Sequence, residues 1–220
     1  MRMRRLVWTS RLAAILAIAG ICAPPTARAE PLNQDPRVAA IMQRLADNPA
    51  APDQYSADVR LHVHLRVFPW LSLTLQGSEV YKHPGFYHFV FRGVPKAAEH
   101  FSDMAYDVGD PSAWPQKYDI SYLEASNTGQ SVLRLVPKTH GNVKTLDVTV
   151  DPEKARLEKW VWSRTDGGTI SVTQRYELVR THDVVSQQEA AIRIPHMAAD
   201  LSATYSNFAL KESVASADRQ

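Results

Sequence analysis

Apolar and polar residues alternate along most of the segment 132–179, which is the period expected of half-buried β-strands. Three alternating runs are evident, at 143–151, 156–164 and 169–179. The first two are separated by Asp-Pro and the last two by Asp-Gly-Gly, which are typical turn residues. This pattern predicts an antiparallel meander at the centre of the fold.

The same alternation extends to both sides of the meander. Upstream, the alternation predicts a hairpin with one apolar face, formed by residues 55–67 and 71–76. Gly77 then leads into a further strand, which ends at a turn at 83–85. Downstream, two closing strands are expected near 184–195 and 202–210. We therefore predict a mainly β protein with a few helices, built on one curving antiparallel sheet.

A short amphipathic helix is predicted ahead of the first strand. Asp35 is a favourable N-cap and Pro36 suits the first helical position. Apolar residues follow at positions 38, 41, 42 and 45, which form one stripe along a helix. Asn48-Pro49 ends the pattern, and we expect the apolar stripe to dock on the sheet.

The segment between Pro95 and Pro111 breaks the strand pattern. Phe101 and Met104 are three residues apart, which favours a short helix followed by a loop. Two hypotheses remain open for this segment. It either covers the mouth of a cavity as a lid, with Phe101 and Met104 as its contacts, or plugs one end of the barrel.

Residues 1–29 have the features of a secretory signal peptide. Arginines precede a short apolar run, and Ala27-Arg28-Ala29 predicts cleavage before Glu30. Residues 30–220 then form a single domain. The leader contains five of the 25 basic residues and none of the 23 acidic ones, so the mature chain carries a formal charge of −3. Without a basic stripe, nucleic-acid binding is not expected.

The sequence offers no recognisable catalytic or metal-binding arrangement. Cys22 is the single cysteine and leaves with the leader, and its preceding Ile21 does not suit lipoprotein processing. His62 and His64 lie two apart on a predicted strand, but a metal site needs three or four ligands, and Arg60 and Arg66 flank them. We expect a solvated outer face there, with neither cofactor nor enzymatic activity.

Three short motifs stand out: the turn at 82–86, Leu133-Arg134-Leu135-Val136-Pro137, and Val150-Asp151 after an alternating strand. They resemble motifs of the LolA/LolB-type proteins that sort outer-membrane lipoproteins. The resemblance extends from about Pro36 to Leu210. It implies a strongly curved, incomplete antiparallel barrel that helices close over an apolar cavity, which holds acyl chains.

The resemblance and the aromatic content together predict a periplasmic, monomeric carrier of lipoprotein acyl chains or other lipids. A membrane donor complex and an outer-membrane acceptor are possible partners. The alternative is a lipid-responsive envelope sensor or interaction module on the same fold. The candidate cavity residues are Leu71, Leu73, Leu75, Phe89, Phe91, Leu146, Val148, Trp160 and Trp162.

Overall fold

Antiparallel β-structure makes up most of the described chain. This computed structural model describes residues 35–66, 72–96, 102–107, 110–125, 129–195 and 197–211. None of the helices in these ranges is both long and apolar enough to span a membrane.

Within the described ranges the chain forms two helices, the 3₁₀ turn Pro111–Ala113 and eleven strands. They are α1 (Pro36–Ala46), β1 (Gln54–Leu65), β2 (Ser72–Lys82), β3 (Phe86–Arg92), β4 (Asp103–Asp107), the 3₁₀ turn Pro111–Ala113, α2 (Trp114–Lys117), β5 (Tyr118–Ala125), β6 (Ser131–Pro137), β7 (Val143–Asp151), β8 (Arg156–Arg164), β9 (Thr169–Val179), β10 (His182–Ile194) and β11 (Met197–Lys211).

All eleven strands belong to one sheet. Its order is β4-β3-β2-β1-β11-β10-β9-β8-β7-β6-β5, so the last strand in the sequence pairs with the first. Within the described residues β4 and β5 are the two edges, and the curved sheet is not closed into a barrel. The predicted incomplete antiparallel barrel, including the central meander β6–β9, is confirmed.

Helix α1 begins and packs as its sequence predicts. The Asp35 carboxylate accepts a hydrogen bond from the backbone N–H of Arg37, at 2.9 Å, and Pro36 occupies the first turn. The apolar stripe is buried against β6, β7 and β8. The helix thus covers one flank of the sheet.

Gly77 does not interrupt a strand, contrary to the sequence-based expectation. It lies inside β2, opposite Val59 of β1 and Phe91 of β3. A Cβ at this position would lie 2.2 Å from the carbonyl oxygen of Val90. Glycine therefore allows the neighbouring strand to approach closely, and it does so without ending the pairing.

The predicted short helix between Pro95 and Pro111 is wrong over residues 103–107. These residues form the edge strand β4, which pairs with β3, and Met104 is the register partner of Phe89. An isolated segment of this length gains little as a helix in water. Pairing with β3 instead provides backbone hydrogen bonds, so the free sheet edge determines its conformation.

Candidate functional site

Side chains that face the same way form continuous rows across the sheet. Residues directly opposite each other in an antiparallel pair point to the same side. One row follows the order of strands in the sheet from β2 to β5, with one residue from each strand. Its members are Leu73, Val63, Leu201, Ala190, Val172, Trp160, Val148, Leu133 and Tyr122. The next row runs through Leu65, Ala199, Ile192, Ile170, Trp162, Leu146, Leu135 and Ile120. We call this side of the sheet the inner face.

Two clusters of buried side chains occupy the flanks of the inner face. The aromatic cluster is built mainly on β1, β2 and β3, and contains Leu75 together with the stacked rings of Phe89 and Phe91. The helix cluster lies between α1 and strands β6, β7 and β8, and contains Val148 and Trp160. Both flanks are therefore filled by protein.

The structure divides the predicted cavity residues between these two clusters. Leu73 packs against the aromatic cluster and Trp162 against the helix cluster, each partly buried, while Leu146 is buried in the helix cluster. Leu71 and Phe101 lie outside the described residues. The predicted cavity residues within the described ranges share one face, and their role in lining a lipid cavity stays a prediction.

Between the two clusters the inner face is apolar but incompletely covered. Seven side chains of the two rows belong to neither cluster. Ala199 is buried, and the other six are partly exposed. We call these six the inner strip: Val63, Leu65, Ile170, Ala190, Ile192 and Leu201. Alternation alone shows that such residues face inward. Whether another element covers them depends on the tertiary structure.

Toward α1 the inner face becomes polar. Gln174 follows Val172 at the next inward position of β9 and lies opposite Gln188 of β10. Gln188 Oε1 accepts a hydrogen bond from the Tyr205 hydroxyl at 2.6 Å. Gln174 is only 4% exposed, so a buried amide stands at the end of the apolar surface.

A cavity of about 90 Å³ lies next to Gln174, where β8 and β9 separate. Their pairing runs from Ser163–Thr169 to Lys159–Thr173. Apart from Trp160, the β8 and β9 residues that line the cavity lie beyond the last of these pairs. Its wall includes Arg156, Leu157 and Trp160 of β8, Gln174 and Tyr176 of β9, Leu45 of α1, and the turn residues His83 and Pro84. We call it the polar cavity.

Polar side chains surround this cavity with incomplete hydrogen bonding. The Tyr176 hydroxyl donates to the carbonyl oxygen of Leu157 at 2.7 Å and lies 2.9 Å from Gln174 Oε1. Among the described residues, Gln174 Nε2 and Arg156 Nε are buried donors without a hydrogen-bond partner. Such groups cost free energy when unpaired, so they indicate a place for an oxygen-bearing ligand or water.

The charges at the polar cavity compensate each other. Arg156 Nη1 lies 3.3 Å from Asp183 Oδ1, and the Arg156 guanidinium lies 5.0 Å from the centre of the Tyr176 ring. Burial raises the pKa of the Tyr176 phenol above its ordinary value, which keeps it neutral. The polar cavity therefore presents hydrogen-bonding groups with little net charge. Nothing in the local sequence around Gln174 or Tyr176 indicated this role.

His62 and His64 lie on the opposite, outer face and each contacts a hydroxyl across the strand pair. His62 Nδ1 is 3.1 Å from Thr74 Oγ1, and His64 Nδ1 is 3.1 Å from Ser72 Oγ. In the described part of the chain, no group of three or more His, Cys, Asp or Glu residues is placed to hold a metal ion.

The architecture is similar to that of three solved structures. A LolA superfamily protein from Nitrosomonas europaea matches with a TM-score of 0.55 and 8% sequence identity, over 80% of this chain and 94% of that chain. A DUF1329 family protein from Desulfovibrio piger matches with a TM-score of 0.54 and 11% identity, over 83% and 95% of the two chains. The chain has a LolA-like fold.

A third match is a domain from Vibrio parahaemolyticus that is described as an outer membrane lipoprotein-sorting protein domain. Its TM-score is 0.53 at 10% identity, over 81% of this chain and 92% of that chain. No protein-family model and no curated protein matches the sequence. At such low identities the likeness concerns the fold, so function must be inferred from the side chains of this chain.

Proposed function

We propose that this protein is a periplasmic carrier that binds acyl chains of lipoproteins or other lipids and transfers them toward the outer membrane. The observation that carries the proposal is the inner strip. Its apolar side chains lie between two filled clusters and remain partly exposed to solvent. Contiguous apolar surface of this kind typically marks a ligand or partner site.

An acyl chain suits the chemistry of the inner strip. Leu65, Ile192 and Leu201 offer aliphatic contacts and no hydrogen-bonding side-chain groups. Burying a methylene is worth about 0.8 kcal/mol, so a chain of roughly sixteen carbons gains on the order of 10 kcal/mol before entropy costs. Affinity of this origin tolerates many cargoes, as a carrier requires.

The proposed route and location of the carrier rest on the signal-peptide pattern of residues 1–29. Residues 1–29 are proposed to direct export and to be removed before Glu30, which leaves an unacylated chain in the periplasm. A membrane donor and an outer-membrane acceptor would then load and unload the cargo. The LolA-like fold supports this order of events, because one of the solved structures that share the fold is described as a lipoprotein-sorting domain.

Phe101, ahead of β4, and Met104, within β4, are proposed to contact bound lipid. The backbone of Met104 pairs with Phe89, whose side chain belongs to the aromatic cluster. Strand β4 therefore anchors the proposed lid to the sheet.

Native mass spectrometry of the protein purified from its own periplasm tests the proposal. We expect a mature mass beginning at Glu30, together with adducts whose masses match lipid or lipoprotein. Loaded protein should also release its cargo to outer-membrane vesicles. A chain that carries no lipid and binds no fluorescent fatty acid would overturn the proposal, and a diacylglyceryl group on Cys22 would replace a soluble carrier by an anchored one.

A further inference from the structure

We infer that the polar cavity beside Gln174 binds the uncharged, oxygen-bearing head of an acylglycerol whose chain lies on the inner strip. This inference rests on the proposed function and adds the class of lipid. The cavity and the inner strip lie on the same face, separated by Val172 and its cross-strand partner Trp160, so the inference requires one amphiphile to extend past these two side chains.

Strand β9 connects the two regions. Ile170, Val172 and Gln174 occupy successive inward positions of β9. Successive inward residues are two positions apart in the sequence, which corresponds to about 6.6 Å along the strand. Trp160 makes the same connection on β8, since it lines the cavity and is the cross-strand partner of Val172. A ligand extending along β9 therefore passes from apolar to polar surroundings at Gln174.

The unpaired donors specify the chemistry of the head. Gln174 Nε2 and Arg156 Nε are buried N–H groups without partners among the described residues, so ester or hydroxyl oxygens would satisfy them. An anionic head would compete with Asp183 for Arg156, because these two already lie 3.3 Å apart. An uncharged head leaves that ion pair intact.

The cavity has room for the head of a glyceryl ester. Its volume is about 90 Å³, whereas a single water molecule needs only about 10–15 Å³ on a comparable probe-based measure.

Calorimetric titration of the full mature protein tests the inference with two ligands that share one chain. Monolauroylglycerol has an uncharged head and lauric acid has a carboxylate, and both are used below their micelle concentrations. We expect wild type to bind monolauroylglycerol more tightly. Gln174→Met keeps the side-chain volume but removes the amide, so it should weaken monolauroylglycerol binding by roughly tenfold and leave laurate binding nearly unchanged.

The matched control is Gln187→Met, which makes the same change at an exposed position of β10. It should alter neither affinity. Gln174→Leu serves as a second variant should Gln174→Met fail to fold, as judged by circular dichroism.

The remaining outcomes each contradict a different statement. If both lipids bind equally well and Gln174→Met changes neither affinity, the head site is overturned while the carrier proposal remains in place. Tighter binding of laurate would overturn the uncharged class. Free glycerol that binds at similar concentrations would indicate a small-polyol site instead of a lipid site. Binding of neither lipid would overturn the proposed function itself.

Discussion

The Tyr55 hydroxyl lies 3.4 Å from Oε1 of Glu79, a carboxyl group buried in the aromatic cluster. Glu79 is 1% exposed and faces inward opposite Ala57 and Phe89. Burial raises its pKa from 4.5 to about 8, and the hydrogen bond from Tyr55 offsets only part of that effect. Near neutral pH this side chain is therefore largely a neutral acid in the folded protein.

This pKa predicts that the protein loses stability as pH rises from about 4.5 to about 8. In that window the unfolded chain releases the Glu79 proton while the folded chain keeps it, so higher pH favours unfolding. The free energy of unfolding should fall by up to about 1.4 kcal/mol per pH unit, and the loss should level off above the folded pKa. Glu79→Gln removes this titration and should flatten the profile.

Urea unfolding across a pH series measures the effect. Glu189→Gln is the matched control because Glu189 is exposed on β10, and it should retain the wild-type slope. Parallel profiles for wild type and Glu79→Gln would contradict the prediction.

A charge on the inner strip should weaken acyl-chain binding. Ile170→Glu places a carboxylate against the chain at a cost of a few kcal/mol, so we expect roughly hundredfold weaker binding of a fluorescent fatty acid. Thr169→Glu is the control, because this neighbouring residue is exposed and its cross-strand partners are Ser163 and Arg193. If both variants bind the probe equally well, the inner strip does not hold the chain.

Gly77→Ala should destabilise the fold because the added Cβ has no space. It would lie 2.2 Å from the Val90 carbonyl oxygen and 2.9 Å from Phe91 Cα, and both are backbone atoms. We expect a loss of about 1–3 kcal/mol or more in the free energy of unfolding. Gly141→Ala is the control, since nothing lies within 4 Å of its added Cβ. Equal melting temperatures for the two variants would refute this account of β2.

The proposed lid can be tested at Phe101, ahead of β4. Phe101→Glu should lower the affinity for a fluorescent fatty acid while leaving the melting temperature close to that of wild type. Met104→Glu, within β4, should weaken probe binding as well, because Met104 is the second proposed lipid contact. A large fall in melting temperature for Phe101→Glu without any change in probe affinity would instead mean that the segment is a structural plug.

The sequence by itself determined the strands of the meander, the main turns and the first helix. Alternation at 143–151, 156–164 and 169–179 was sufficient because neighbouring side chains of a strand always point to opposite faces. Asp35, Pro36 and the apolar stripe after them likewise act within one helix. These signals are local, so they hold whatever the rest of the chain does.

Only the tertiary structure decided which inward residues are covered. Trp160 and Ile170 show the same alternation, yet Trp160 is buried in the helix cluster while Ile170 lies on the partly exposed inner strip. The difference arises from the position of α1 over β6, β7 and β8. Periodicity assigns a side chain to a face, but coverage of that face depends on elements distant in sequence.

The edge strand β4 and the polar cavity were also decided by distant contacts. Residues 103–107 are extended because β3 offers a free edge, and Gln174 lines a cavity because β8 and β9 separate beyond Lys159–Thr173. Neither fact is encoded in a local pattern. Sheet pairing and strand separation are set by backbone hydrogen bonds between segments far apart in the chain, which a reading of neighbouring residues does not contain.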